Sequence, residues 1–191
     1  MFLILDLSGR RKPDSVFLHN GGGGHSAFHN GLGAVIGSKN LKVFVAIKGK
    51  QTVGVRDPDM LKARAKEMLE LAKRAPRYKW GTGGGFSNQH ELGTLPIKSY
   101  TTNIFSEHEK TNGQYMRTHY KIRFRPCYRC AITHVKEVTV TEGPYTGFLG
   151  EESEYEQMAA FGPQIGNTYL GVVVMLSNEV DYLGMDCNET G

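Results

Sequence analysis

Asp57-Pro58-Asp59-Met60-Leu61-Lys62-Ala63-Arg64-Ala65-Lys66-Glu67-Met68-Leu69-Glu70-Leu71-Ala72-Lys73-Arg74 is the stretch from which the rest of the chain is read. Asp57 can cap a helix and Pro58 suits its first position. Met60, Leu61, Ala65, Met68, Leu69 and Ala72 recur at three- and four-residue spacing, which puts one apolar face on a helix from about Pro58 to Arg74, stopping before Pro76. What precedes it has another pattern. Phe2 to Leu7 is strand-like, and Val43 to Ile47 is a β-branched and aromatic run suited to a buried strand. Lys48-Gly49-Lys50 reads as a turn into residues 51–55, a hairpin. The helix therefore marks the passage from a β-rich beginning to a mainly helical remainder, an α+β chain.

Beyond Pro76, residues 76–126 carry glycine at 81 and 83–85 and scattered histidines without sustained periodicity. Short helices and loops lining a site are expected there. Val135 to Val140 alternates as a half-exposed strand ending in the turn Glu142-Gly143-Pro144. Ser153 and Glu156 have capping-box spacing and predict a helix stopping near Gly162-Pro163. A second helix is predicted from Thr168 to a glycine stop at Gly184, carrying Leu170, Val173, Val174, Leu176 and Val180.

Composition narrows the class. With 191 residues, 39% hydrophobic and 22% charged, the chain is globular. A net charge of +4, with no run of five basic residues, implies neither nucleic acid nor an anionic membrane as partner. The apolar run at the start is stopped by Asp6, far short of a signal core or membrane span, so a cytoplasmic location is expected. Glycine is in excess, 24 residues where about 7% is usual, so the glycine clusters are the places to look for close backbone approach.

The first cluster is Gly21 to Gly24 with Gly31-Leu32-Gly33-Ala34-Val35-Ile36-Gly37-Ser38-Lys39. Bare amides with Lys39 and Lys42 can cradle phosphate, although the spacing matches neither standard nucleotide fingerprint, and a tight loop between packed elements explains it equally. Cys127-Tyr128-Arg129-Cys130 followed by His134 can face one metal or cluster: iron–sulfur, or zinc with His119 as fourth ligand. Two buried unligated cysteines are the plain alternative. Glu151, Glu152, Glu154 and Glu156 crowd a helix start, where the macrodipole favours them; one can also serve as a general acid or base. Asp181 and Asp186, five apart across Gly184, fit a helix C-terminus or the N–H groups of a polar heterocycle.

Taken in order, four segments resemble the tungsten-containing aldehyde:ferredoxin oxidoreductase family. They are Gly31 to Lys42; Gly81-Thr82-Gly83 through Gly93-Thr94-Leu95-Pro96; Cys127-x-x-Cys130 with Glu142-Gly143-Pro144-Tyr145 and Glu154-Tyr155-Glu156; and Asp181-x-x-Gly184-Met185-Asp186. The resemblance implies a tungsten ion held by two pyranopterins, a [4Fe-4S] cluster, and oxidation of a small aldehyde to a carboxylic acid with electrons passed to ferredoxin or another electron-transfer subunit. It also implies that residues 1–55 are the C-terminal part of a pterin-binding α+β domain and residues 56–191 the N-terminal part of a mainly helical second domain with the cluster loop. Family members are about three times longer, so the remaining part of the enzyme, or a partner subunit, is expected to close the site.

Carried over by position, the resemblance assigns Asn30, Gly31, Leu32, Gly33 and Ala34 to the pterin phosphates, bridged by Mg2+, and Asp181 and Asp186 to one pterin. Cys127 and Cys130 would bind the cluster, with His134 at the third cysteine's place. Glu154 or Glu156 would be the acid/base, Glu154 being preferred because Glu156 suits the capping box. Cys187, directly after the pterin aspartate, would be a thiolate facing the tungsten. Met175 and Asn178 stand where some members carry an E-x-x-H motif, so no metal-bridged dimer is expected. The alternatives are an acyl-CoA (aromatic thioester) reductase-type subunit of the same family, a non-catalytic scaffold, and zinc at Cys127, Cys130 and His134.

Overall fold

The structure, a computed structural model, describes residues 2–5, 18–20, 35, 38–40, 43–45, 50, 53–124, 132, 136–183 and 185–191. At the beginning, β1 (Phe2–Leu5) pairs antiparallel with both β2 (Leu18–Asn20) and β3 (Val43–Val45), giving the order β2-β1-β3. The register sets Ile4 opposite His19 on one side and opposite Val43 on the other. β1 and β3 lie inside the strands read from the sequence. Of the second strand read over residues 51–55, the described part, Val53 to Val55, has no regular structure, and residues 51–52 lie outside the described residues.

Helix α1 (Pro58–Arg74) has the expected limits. The Asp57 carboxylate accepts the Met60 N–H at 2.9 Å, and Lys73 and Arg74 occupy the last turn, where positive charge complements the helix dipole. Its apolar face is not covered. None of its residues is buried, and Met60, Leu61, Met68 and Leu71 are all exposed. Two short helices follow, α2 (Pro76–Trp80) and α3 (Phe86–Glu91), joined by a 3-10 turn at Thr82–Gly85.

The core lies beyond them. Helix α4 (Gly113–His119) leads into β4 (Lys121–Phe124), which pairs with β5 (Lys136–Thr139), and β5 pairs with β6 (Leu149–Glu151), all antiparallel. β5 is the expected alternating strand, burying Lys136 and Val138 and half-covering Glu137 and Thr139. Helix α5 (Tyr155–Ala159) passes into a π turn (Ala160–Gln164), then come α6 (Leu170–Leu183) and α7 (Cys187–Thr190). Phe86, Met116, Val138, Met158, Val173 and Val174 pack together, so α3, α4, β5, α5 and α6 share one hydrophobic centre.

The capping-box assignment is corrected. The helix N-cap is Glu154, not Ser153. Its carboxylate accepts the Gln157 N–H, and its own N–H donates to Gln157 Oε1 at 3.0 Å, so the box is Glu154 with Gln157. Ser153 instead donates its hydroxyl to Ser177 Oγ at 2.9 Å inside the protein. Burial of Ser153 decides the register, since a buried hydroxyl needs its partner across the interface before it can cap.

Candidate active site

Helix α6 positions the acidic segment. Asn178 Oδ1 accepts the Glu151 N–H at 2.7 Å, while its Nδ2 donates to Glu151 O at 3.0 Å and to Val174 O at 2.7 Å. One turn further, Asp181 accepts from Gln157 Nε2 at 3.2 and 3.1 Å. Ser177, Asn178 and Asp181 therefore hold residues 151, 153 and 157 from one side of one helix. On the opposite side, the Tyr155 N–H donates to Thr82 Oγ1 at 2.9 Å, which ties the start of α5 to the glycine turn.

That turn is braced from beneath by a buried ion pair. Arg117 donates from Nε to Glu152 Oε1 at 2.7 Å and from Nη2 to Glu152 Oε2 at 2.6 Å, the two side chains being 5% and 6% exposed. Its Nη1 donates to Lys79 O at 2.7 Å. Gly81, at φ +67°, lies against this pair, and a Cβ there would sit 2.8 Å from Arg117 Nη2. Glycine is thus required twice over, by conformation and by the close approach of the guanidinium.

Between the turn and the acidic segment lies a cleft of about 840 Å³, lined by Gly81, Thr82, Gly84, Gly85, Glu154 and Glu156 among others. This is within the usual range for cofactor and ligand sites. The two glutamates differ in what they can do there. Glu154 is engaged in the cap, whereas Glu156, at the second helical position, is exposed. The cap thus engages Glu154, the residue the sequence favours for proton transfer, and leaves Glu156 exposed on the same wall.

Asp181 and Asp186 are both placed beside protein partners. Burial is the main reason that the Asp181 carboxyl is raised to about 6; the Glu154 carboxylate adds to this and the Gln157 hydrogen bond opposes it. Asp186 is buried and caps α7, accepting the Asn188 N–H at 2.9 Å. Cys187 is 4% exposed within the hydrophobic core. Burial first, then the carboxylates of Asp186, Asp181 and Glu156, push its thiol up to about 12, so in this arrangement it is a neutral thiol. The structure brings Glu154, Glu156, Asp181, Asp186 and Cys187 into one neighbourhood.

Asn30, Gly31, Leu32, Gly33, Ala34, Cys127, Cys130 and His134 lie outside the described residues. Among the described residues no group of three or more His, Cys, Asp or Glu is disposed to hold a metal ion. His119, the zinc alternative, stacks its ring on Tyr115 with centroids 3.8 Å apart. Among the described residues no helix is long and apolar enough to cross a membrane.

A bulky heterocycle rich in N–H donors fits what is present. The cleft is large, its wall offers carboxylates as acceptors, and a Cβ at Gly85 would meet nothing within 4 Å. The residues that sequence reading missed are Arg117, Gln157, Thr82 and Ser177. Only Gln157 left a local signal, because Glu154-x-x-Gln157 has capping-box spacing one residue after the one chosen.

Comparison with known proteins agrees with the family that the sequence resembles. Residues 60–191 match the family description "Aldehyde ferredoxin oxidoreductase, domains 2 & 3". The chain is 30% identical over 179 residues to a tungsten-containing aldehyde ferredoxin oxidoreductase of Pyrococcus furiosus, covering 88% of this chain and 28% of that protein. It is 29% identical over 179 residues, with the same coverage, to a protein of the same name from Thermococcus kodakarensis. It is also 31% identical over 169 residues to the WOR-like subunit of an aliphatic sulfonate oxidoreductase of Pyrococcus furiosus, covering 87% of this chain and 27% of the relative. The chain thus spans little more than a quarter of the length of these curated relatives. With its matched region extending from α1 through the cleft to α7, the chain belongs to the aldehyde ferredoxin oxidoreductase family.

Proposed function

We propose that this chain forms part of a tungstopterin-dependent oxidoreductase that converts aldehydes to carboxylic acids and passes the electrons through a [4Fe-4S] cluster to ferredoxin. The observation that carries the reading is the exposed Glu156 carboxylate on the wall of the 840 Å³ cleft, beside a glutamate already committed to capping. Asp181 and Asp186 would hold one pterin, Asn30 to Ala34 the cofactor phosphates with Mg2+, and Cys127, Cys130 and His134 the cluster. When bound, the tungsten–pterin group supplies the two-electron redox couple and the Lewis acidity.

The chain's own contribution is proton handling and positioning. Conversion of an aldehyde and water to a carboxylic acid releases two electrons and two protons, so a base beside the reacting carbonyl is needed. Glu156 takes that role, with its backbone held by the Tyr155–Thr82 and Glu154–Gln157 contacts. The Arg117–Glu152 pair fixes the glycine wall opposite. A wider substrate range has one support: a relative 31% identical over 169 residues is the WOR-like subunit of an aliphatic sulfonate oxidoreductase.

The test is Glu156→Gln in the assembled holoenzyme. Aldehyde-dependent reduction of a viologen dye falls by about 10²- to 10⁴-fold with tungsten content unchanged. Full activity in Glu156→Gln, alongside lost activity in a stably folded Glu154→Gln, returns the role to Glu154.

A further inference from the structure

A second hollow shares a wall with the cleft. It measures about 310 Å³, and Tyr155 and Glu156 line both spaces. Its remaining walls join Tyr100, Ala159 and Ala160 with the polar Ser99, Gln164 and Asn188, so small residues leave room beside two aromatic rings within a mixed rim.

Two unusual pieces of backbone meet at this hollow. One is the π turn Ala160–Gln164, with Pro163 inside it. Such turns are rare, and they concentrate at functional sites because they cost helical hydrogen bonding. The other is the loop Lys98-Ser99-Tyr100, where three successive non-glycine residues have φ of +45°, +52° and +63°. L side chains are disfavoured in that region, so the surrounding structure must impose it.

The imposing contacts are visible. The Lys98 N–H donates to Pro163 O at 2.9 Å, which fastens the strained loop to the π turn, and Thr101 Oγ1 donates to Lys98 O at 2.7 Å. The strain is not offset by burial of the aromatic ring, since Tyr100 is 71% exposed. Tyr100 instead lines the hollow together with Glu156.

We infer that this hollow is the pocket for the substrate's side chain, taking a compact apolar group, aryl or branched alkyl, attached to the reacting carbonyl, with Tyr100 as a specificity-determining contact. The volume decides the class. Roughly 150 Å³ suffices to hold benzene, so 310 Å³ takes one ring with short substituents. The inference rests on Glu156 marking the reacting centre.

The test uses the 191-residue chain with benzyl alcohol as an unreactive aryl probe and ethanol as its short counterpart, followed by saturation-transfer NMR. Benzyl alcohol is expected to receive saturation from the Tyr100 and Tyr155 rings and to bind more tightly than ethanol. Tyr100→Gly weakens benzyl alcohol about three- to tenfold, the range of one aromatic contact. It also raises the thermal midpoint by a few degrees, because the left-handed strain is relieved. Asn188→Trp, at an exposed position of the same wall, fills the hollow and abolishes aryl binding while the fold is retained. Unchanged binding in both variants, or contact of the probe with residues 81–85 instead, overturns the pocket. Benzyl alcohol binding is read without turnover, so failure of the pocket and failure of the proton-transfer role, which is read from activity, are distinguished.

Discussion

Arg117→Met is the perturbation that tests the site's architecture most directly. The guanidinium is 5% exposed, makes two short bonds to Glu152 and donates to Lys79 O at 2.7 Å. Methionine keeps much of the volume and removes every donor. Glu152, 6% exposed, then loses its counter-charge where water cannot replace it. Breaking a buried pair in this way costs about 3–5 kcal/mol, several times the 0–1 kcal/mol of an exposed pair such as Lys62–Asp59. For a chain of this size each kcal/mol moves the midpoint by about 2–4 °C, so Arg117→Met melts roughly 6–20 °C lower. Urea and thermal unfolding followed by circular dichroism measure both quantities. The double variant Arg117→Met/Glu152→Gln removes both charges and recovers at least half of the loss. A single variant within about 1 kcal/mol of the parent, or a double variant no more stable than the single, refutes the claim that the pair is buried and coupled.

Three further outcomes are expected. Asp181, raised to about 6 from an ordinary 3.8, binds its proton more tightly folded than unfolded, so its charge opposes folding above about pH 6 and the penalty fades towards pH 4. Asp181→Asn is therefore more stable than the parent at pH 7, by about 3 kcal/mol at most, and the advantage disappears near pH 4; an advantage that grows on acidification contradicts this. Gly113→Ala places a Cβ 2.6 Å from Trp80 O and 2.8 Å from Gly84 N, backbone that cannot step aside, and costs about 1–3 kcal/mol by urea titration. Asp57→Ala removes the α1 cap and costs about 1 kcal/mol, read as fraying of that helix in amide exchange while the core amides are unaffected.

What was legible depended on how far each signal reaches along the chain. The limits of α1 were readable because Asp57, Pro58 and Pro76 act within one turn of themselves. Its apolar stripe was equally readable, but nothing in that periodicity says whether a partner covers it, and here none of its residues is buried. β4 and β6 were missed because they are strands through pairing with β5, a contact made across the chain. The capping register failed by one residue because Ser153 and Glu154 both suit the position locally, and Ser177, 24 residues away, decides between them.

By itself the sequence determined the alternation of β-rich and helical segments, the family, and the neighbourhood of acids around residues 151–156. These are carried by local propensity and by motif order, which need no knowledge of what packs where. Only the tertiary structure decided which acid does what. Glu152 is consumed by Arg117, Glu154 by the cap, and Glu156 is left facing two hollows. The physical reason is that a carboxylate's role is set by its partners, and those partners, Arg117, Gln157 and Thr82, are brought to it by folding.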